Sequence, residues 1–145
     1  MNWQIKRFNE LSPDELYQIM ALRLEVFVVE QNCVYQDADG KDHEALHLFA
    51  SENGSITAYC RIFGPGIYFE DSSIGRVIVK ESFRGSGLGH ELMKRAIQII
   101  KSRFGNGIRI SAQEYLLEFY RSHGFEPVGE GYLEDGIPHI AMVRI

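Results

Sequence analysis

Ile74-Gly75-Arg76-Val77-Ile78-Val79-Lys80-Glu81-Ser82-Phe83-Arg84-Gly85-Ser86-Gly87-Leu88-Gly89 is the stretch on which the reading of the chain turns. Val77, Ile78 and Val79 are three β-branched residues in a row, and an apolar run without alternation predicts a strand buried on both faces. After four intervening residues comes Arg84, followed by glycines at 85, 87 and 89. From Leu88 the apolar residues Leu88, Leu92, Ala96, Ile99 and Ile100 recur at helical spacing to about Phe104, where Gly105-Asn106-Gly107 stops the helix. The pattern is therefore strand, glycine turn, helix. The first turn of a helix carries backbone N–H groups with no intrahelical partner and a partial positive charge. Glycines keep side chains out of the way of an anion approaching those groups. Gly85, Ser86, Gly87, Leu88 and Gly89, with Arg84 as a neighbouring cation, are thus predicted to hold a phosphate or pyrophosphate.

Two other phosphate-binding motifs do not fit. A P-loop requires Lys-Ser/Thr after its last glycine, and Gly89 is followed by His90-Glu91. A dinucleotide fingerprint is Gly-x-Gly-x-x-Gly, whereas the spacing here is Gly-x-Gly-x-Gly, which disfavours a nicotinamide-dinucleotide dehydrogenase.

Upstream, Trp3 to Phe8 reads as a short strand. Ser12-Pro13-Asp14-Glu15 reads as a capping box with proline in the first helical position, opening a helix that runs to Glu30 or Gln31. Asn32 to Ala45, rich in polar residues, is predicted to be a loop, with Asp37, Asp39 and Asp42 solvated. His47–Ser51 and Ile56–Phe63 are strands around an Asn53-Gly54 hairpin turn. Downstream of the glycines come a strand at Ile108–Ala112, a short helix at Tyr115–His123 capped by Gly124, and closing strands at Phe125–Val128 and Pro138–Ile145 around a turn region from Gly131 to Gly136. The order β-α-β-β-β-α-β-α-β-β predicts a mixed α/β fold: one largely antiparallel sheet flanked by helices, with a parallel pair around Ile74–Ala112.

The chain has 145 residues and a formal net charge of −5, which fits one domain spanning 1–145 and disfavours a nucleic-acid partner. Two cysteines, Cys33 and Cys60, are too few for a disulfide framework or a cysteine-based zinc site, so no metal is expected. Neither a signal peptide nor a run of about 18 apolar residues is present, so the expectation is a cytoplasmic protein with no membrane partner.

Arg84-Gly85-Ser86-Gly87-Leu88-Gly89 resembles the Arg/Gln-x-x-Gly-x-Gly/Ala signature of the GNAT N-acetyltransferase superfamily. Phe119-Tyr120-Arg121-Ser122-His123-Gly124-Phe125 is similar to that superfamily's distal motif. The run Arg23–Gln31, the Asp37-x-Asp39-Gly40-x-Asp42 loop, His47 and Gly75-Arg76-Val77 look like its ElaA-like branch. The resemblance implies the acyl-CoA N-acyltransferase fold, in which the parallel pair is splayed. It also implies acetyl-CoA as cosubstrate and an amine-bearing acceptor, a small molecule or a protein. Its pantetheine arm would lie along Val77, Ile78 and Val79. Gln113 would contact the cofactor where relatives often carry Asn, and Tyr120 would protonate the departing thiolate. Relatives are often homodimers. A phenol with an unperturbed pKa of about 10 holds its proton at neutral pH and can donate it. The base is left open among Glu30, His43, His47, Glu114 and a water chain. Arg76 is expected at the surface or paired with a carboxylate such as Glu30. A non-catalytic acyl-CoA-binding or sensor domain is the alternative to an enzyme.

Overall fold

The computed structural model describes residues 1–145. Its elements follow the predicted order: β1 (Asn2–Arg7), α1 (Pro13–Arg23), β2 (Leu46–Glu52), β3 (Ser55–Phe63), β4 (Ser73–Val79), α2 (Leu88–Phe104), β5 (Ile108–Gln113), α3 (Leu117–Arg121), β6 (Glu126–Glu134) and β7 (Ile137–Arg144). β1-β2-β3-β4 form one antiparallel sheet and β5-β7-β6 a second. The two meet where β4 and β5, running parallel, share one bridge between Ser72 and Ile108, with the Arg109 N–H donating to Ser72 O at 2.9 Å. Beyond that bridge the strands part. This is the predicted mixed α/β arrangement with a splayed parallel pair. No helix is long and apolar enough to cross a membrane.

Strand alternation gives the first sheet two apolar faces. Leu48, Ala50, Ala58, Cys60 and Ile62 pack with Leu92, Met93, Ala96 and Ile100 of α2, and Ile108, Ile110, Phe125 and Met142 extend the same core under the second sheet. Phe49, Tyr59 and Ile78 point the other way, against Ile19, Leu22 and Val26. α1 begins as expected: the Glu15 N–H donates to Ser12 Oγ at 3.1 Å and the Ser12 N–H to Glu15 Oε1 at 2.8 Å.

Four expectations need correction. The helix predicted to reach Glu30 changes character after Arg23: Leu24–Glu30 is π-helical, with the Gln31 N–H reaching Val26 O and the Cys33 N–H reaching Val28 O. The wider turn brings Val26, Phe27, Glu30 and Gln31 together on the wall of one cleft. β4 is not buried on both faces, because Gly75, Arg76, Val77 and Val79 are half-exposed where β5 leaves its side. β6 continues through the supposed turn to Glu134, with a register shift between Val128 and Tyr132, and the chain reverses only at Asp135-Gly136. Both of those residues have positive φ (51° and 77°), the requirement of a tight hairpin turn. The glycines before them had marked a bulge.

The fourth correction concerns the acidic loop, which is not solvated. Asp37 and Asp42 are buried, and Arg23 and Arg61 beside them are fully enclosed. Arg23 Nε donates to Asp37 Oδ2 at 2.8 Å and its Nη1 to Asp42 Oδ1 at 2.7 Å. Arg61 holds Asp39 at 2.6 Å and Asp42 at 3.0 Å, and Arg76 Nε donates to Asp37 Oδ1 at 2.9 Å. Arg76 therefore pairs with Asp37, not Glu30. Burial alone would push the Asp39 and Asp42 carboxyls upward, but the guanidinium hydrogen bonds win and hold both below the usual carboxylate range. This cluster ties the end of α1, β3 and β4 to the loop. Removing one partner leaves buried charge uncompensated. Asp37→Ala is expected to lower unfolding free energy by about 3–5 kcal/mol in urea titration, and a loss under about 1 kcal/mol would show that the cluster does not hold the loop.

Candidate active site

The opening between β4 and β5 is a cleft of about 400 Å³. At one end lies the glycine turn. Gly87 is the N-cap of α2 with φ 85°, and the first N–H to bond into the helix is that of Glu91, to Gly87 O at 3.1 Å. The amides of Leu88, Gly89 and His90 are thus left without a helical carbonyl. Gly89 packs between Val79 of β4 and Phe119 of α3, which a Cβ there would meet at 3.5 and 3.6 Å, ordinary contact distances. Arg84 is not free here. It pairs with Glu30 at 3.0 Å and donates through Nε to Val79 O at 3.0 Å. Ser86 Oγ donates to Phe83 O at 2.6 Å, and the Leu88 side chain is buried in the core.

β4 supplies one wall. Arg61 faces Gly75 and Tyr59 faces Ile78, so Cys60 alone opposes Arg76 and Val77, which form a bulge. Arg76 sits there at φ 52°, a left-handed conformation that costs a residue with a Cβ, and its bonds to Asp37 hold it in place. The Lys80 N–H donates to Thr57 O on β3 at 2.8 Å, so alternation turns the Val79 N–H away from β3 and into the cleft.

Tyr120 of α3 lines the cleft, and burial pushes its phenol well above the ordinary value, so it stays protonated. Gln113, at the end of β5, also lines the cleft and exchanges hydrogen bonds with Gln31, whose Nε2 lies 3.1 Å from Gln113 Oε1. Gln31 was not singled out in the sequence.

The four candidate bases fare differently. Glu30 reaches the cleft, but at its glycine end and bound to Arg84. His47 is sealed in the core: Nε2 is 2.9 Å from Asp42 O and must carry the proton, and Nδ1 accepts from Tyr59 Oη at 2.7 Å. Burial pushes its imidazole down, and both nitrogens are used. His43 packs on Phe8, ring centroids 4.2 Å apart, away from the cleft. Glu114 is exposed against Gly131 of β6 and does not line the cleft either. A different group does. Ser111, Gln113, Tyr132, Glu134 and His139 share one face of the second sheet, and Ser111, Glu134 and His139 line the cleft. His139 was not singled out in the sequence; it lies on β7, the middle strand of the second sheet, between Gln113 of β5 and Tyr132 of β6.

A strand opened at its edge, leading from unpaired helix amides to a buried tyrosine, is an arrangement that comparison with known proteins places directly. Residues 9–145 match the acetyltransferase (GNAT) domain family. The chain belongs to the GNAT acetyltransferase family. Within it the chain falls in the ElaA-like branch: it is 43% identical to Protein ElaA of Escherichia coli over 147 residues, covering 99% of this chain and 96% of that protein. The ElaA crystal structure superposes with a TM-score of 0.92 over 100% of both chains. An acyl-CoA N-acyltransferase from Pseudomonas aeruginosa, 42% identical, superposes with a TM-score of 0.94, again over 100% of both chains. GNAT membership makes acyl transfer from a coenzyme A thioester the activity class of this chain.

In the site as built, the turn at Gly87 is where a phosphate would sit. Gly87→Glu is expected to abolish coenzyme A binding in calorimetry. Gly54→Glu is the control, because Gly54 (φ 78°) has equally open surroundings in the β2–β3 hairpin and bears the same backbone strain. Unchanged affinity in Gly87→Glu would remove the phosphate site from α2.

Proposed function

We propose that this GNAT protein transfers an acetyl group from acetyl-CoA directly to a primary amine of a small molecule or a protein. The observation that carries the proposal is the opened edge of β4, which runs from the free amides of α2 past the bulge at Arg76 and Val77 to Tyr120. A pyrophosphate at Leu88–His90 would gain three N–H donors and the helix dipole, and Arg84 would exchange Glu30 for a phosphate oxygen. The pantetheine amides would complete the ladder that β4 lacks along Val77, Ile78 and Val79. Gln113 would contribute an amide to the same arm. Binding of this kind sets the thioester in one orientation, which supplies much of the rate.

Attack by the amine forms a C–N bond and a tetrahedral oxyanion, and collapse breaks the C–S bond. Tyr120 would then give its proton to the thiolate. The burial that raises its phenol also destabilises a thiolate left in the same dry pocket, so proton transfer accompanies bond breaking.

The test is thiol release from acetyl-CoA across polyamines, amino acids, antibiotics and peptides. Turnover with at least one amine is expected. Binding of acetyl-CoA without thiol release from any of them would leave a non-catalytic acyl-CoA-binding domain instead. Tyr120→Phe is expected to lower kcat by about 100-fold, the scale of one general acid, with the acetyl-CoA affinity unchanged. An equal loss of affinity would make Tyr120 a packing residue.

A further inference from the structure

We propose that His139, held by Glu134, accepts the proton of the incoming amine, and that the subsite before this pair takes a primary ammonium. The proposal rests on the acetyl-transfer reading above.

His139 Nδ1 lies 2.7 Å from the Ile137 carbonyl oxygen. A carbonyl only accepts, so Nδ1 carries a hydrogen and, in the neutral ring, Nε2 carries the lone pair. Nε2 lies 3.4 Å from Glu134 Oε2. Two acceptors facing one another attract only when a proton lies between them. The pair is therefore built to receive one, either as imidazolium and carboxylate or by sharing an N–H of a ligand. Glu134 is fixed in turn. Ser111 Oγ donates to its Oε1 at 3.2 Å, and with its proton so committed Ser111 accepts from the Tyr132 hydroxyl. The Tyr132 ring stacks on the imidazole, centroids 6.2 Å apart at 22°. The imidazole is thus set at both nitrogens and on one face while remaining on the cleft wall.

The charges around the pair select a cation. Each arginine on the cleft wall already has a carboxylate: Arg61 has Asp39 and Asp42, Arg76 has Asp37, and Arg84 has Glu30. Glu134 has no arginine or lysine partner, and Asp135 adds a second negative charge beside it on the same wall. Across the cleft, Tyr68 is close enough for the Glu134 charge to act on its phenol; burial, and after it that charge, push the phenol up. An ammonium would find a carboxylate, an imidazole lone pair and an aromatic wall together.

The proton balance closes. The acceptor enters as R–NH3⁺ and hands one proton to His139 Nε2, which releases it to solvent. The neutral amine then attacks the thioester carbon. The acylated nitrogen loses a second proton, which replaces the one Tyr120 gives to the thiolate. The products are R–NH–CO–CH3, coenzyme A thiol and one free proton.

The test uses two small acceptors with acetyl-CoA at neutral pH. Methylammonium must lose a proton before it attacks, and hydroxylamine is largely neutral and need not. His139→Gln is expected to lower transfer to methylammonium by about 100-fold or more, the scale of one general base, while hydroxamate formation falls less than about three-fold. Glu134→Gln is expected to raise KM for methylammonium and leave KM for hydroxylamine unchanged, since only the first is a cation. Acetyl-CoA affinity in both variants, measured by calorimetry, should match the parent chain and reports that they fold. Equal loss with both acceptors, or loss with neither, would overturn the assignment of His139. A parent chain that releases no thiol with either acceptor or with any amine of the panel above would overturn the acetyl-transfer reading itself.

Discussion

β4 has a pairing partner on one side and, past Ser72, none on the other. A half-buried strand edge with unmet amides is costly unless something completes it. Much of the structure keeps that edge open. The two-for-one bulge opposite Cys60 twists β4 away from β5. Arg76 is forced into a left-handed conformation at the bulge, and Asp37 anchors it from the Asn32–Ala45 loop. Asp37 in turn is positioned by Arg23 at the end of α1, where the helix widens into its π turn. The same turn lines the cleft with Phe27, Glu30 and Gln31. The buried ion cluster and the open edge are therefore one construction: charges that would weaken an ordinary core hold a strained backbone where the cofactor is proposed to lie.

The fold was largely legible because its signals are local. The capping box at Ser12–Glu15, the Asn53-Gly54 turn, and the change from a β-branched triplet to helical spacing across Gly85–Gly89 each carry their own geometry. What stayed hidden depends on partners distant in sequence. Arg23 directly precedes the π turn, and its partners Asp37 and Asp42 lie 14 and 19 residues on. Asp37 and Asp42 themselves look like any solvated acidic loop until three arginines from α1, β3 and β4 are brought to them. Gly129 and Gly131 read as a turn because a glycine in a bulge and a glycine in a hairpin have the same local signature.

The candidate site divides along the same line. Arg84 to Gly89, Val77 to Val79 and Tyr120 lie in two contiguous motifs, and Arg84, Gly89, Val77 to Val79 and Tyr120 line one cleft. The base does not lie in a motif. His47 has the right chemistry in isolation, but Tyr59 and Asp42 consume both its nitrogens. Each ring gives one nitrogen to a backbone carbonyl, and the difference lies in the other: that of His47 accepts from the Tyr59 hydroxyl, and that of His139 faces the Glu134 carboxylate. Alternation along β7 puts His139 on the face it shares with Ile137 and Ala141. It could not show that β5, β6 and the loop carrying Tyr68 enclose that face.

The central claim is that a coenzyme A thioester completes the unpaired edge of β4. Amide hydrogen exchange at Val79, followed by NMR with and without saturating acetyl-CoA, tests it most directly, with Ala50 in β2 as an internal reference. The account predicts that exchange at Val79 slows by about ten-fold or more on binding, as an amide gains a protected hydrogen bond, while Ala50 is unchanged. Saturation with acetyl-CoA that leaves the Val79 amide exchanging at its free rate would contradict it.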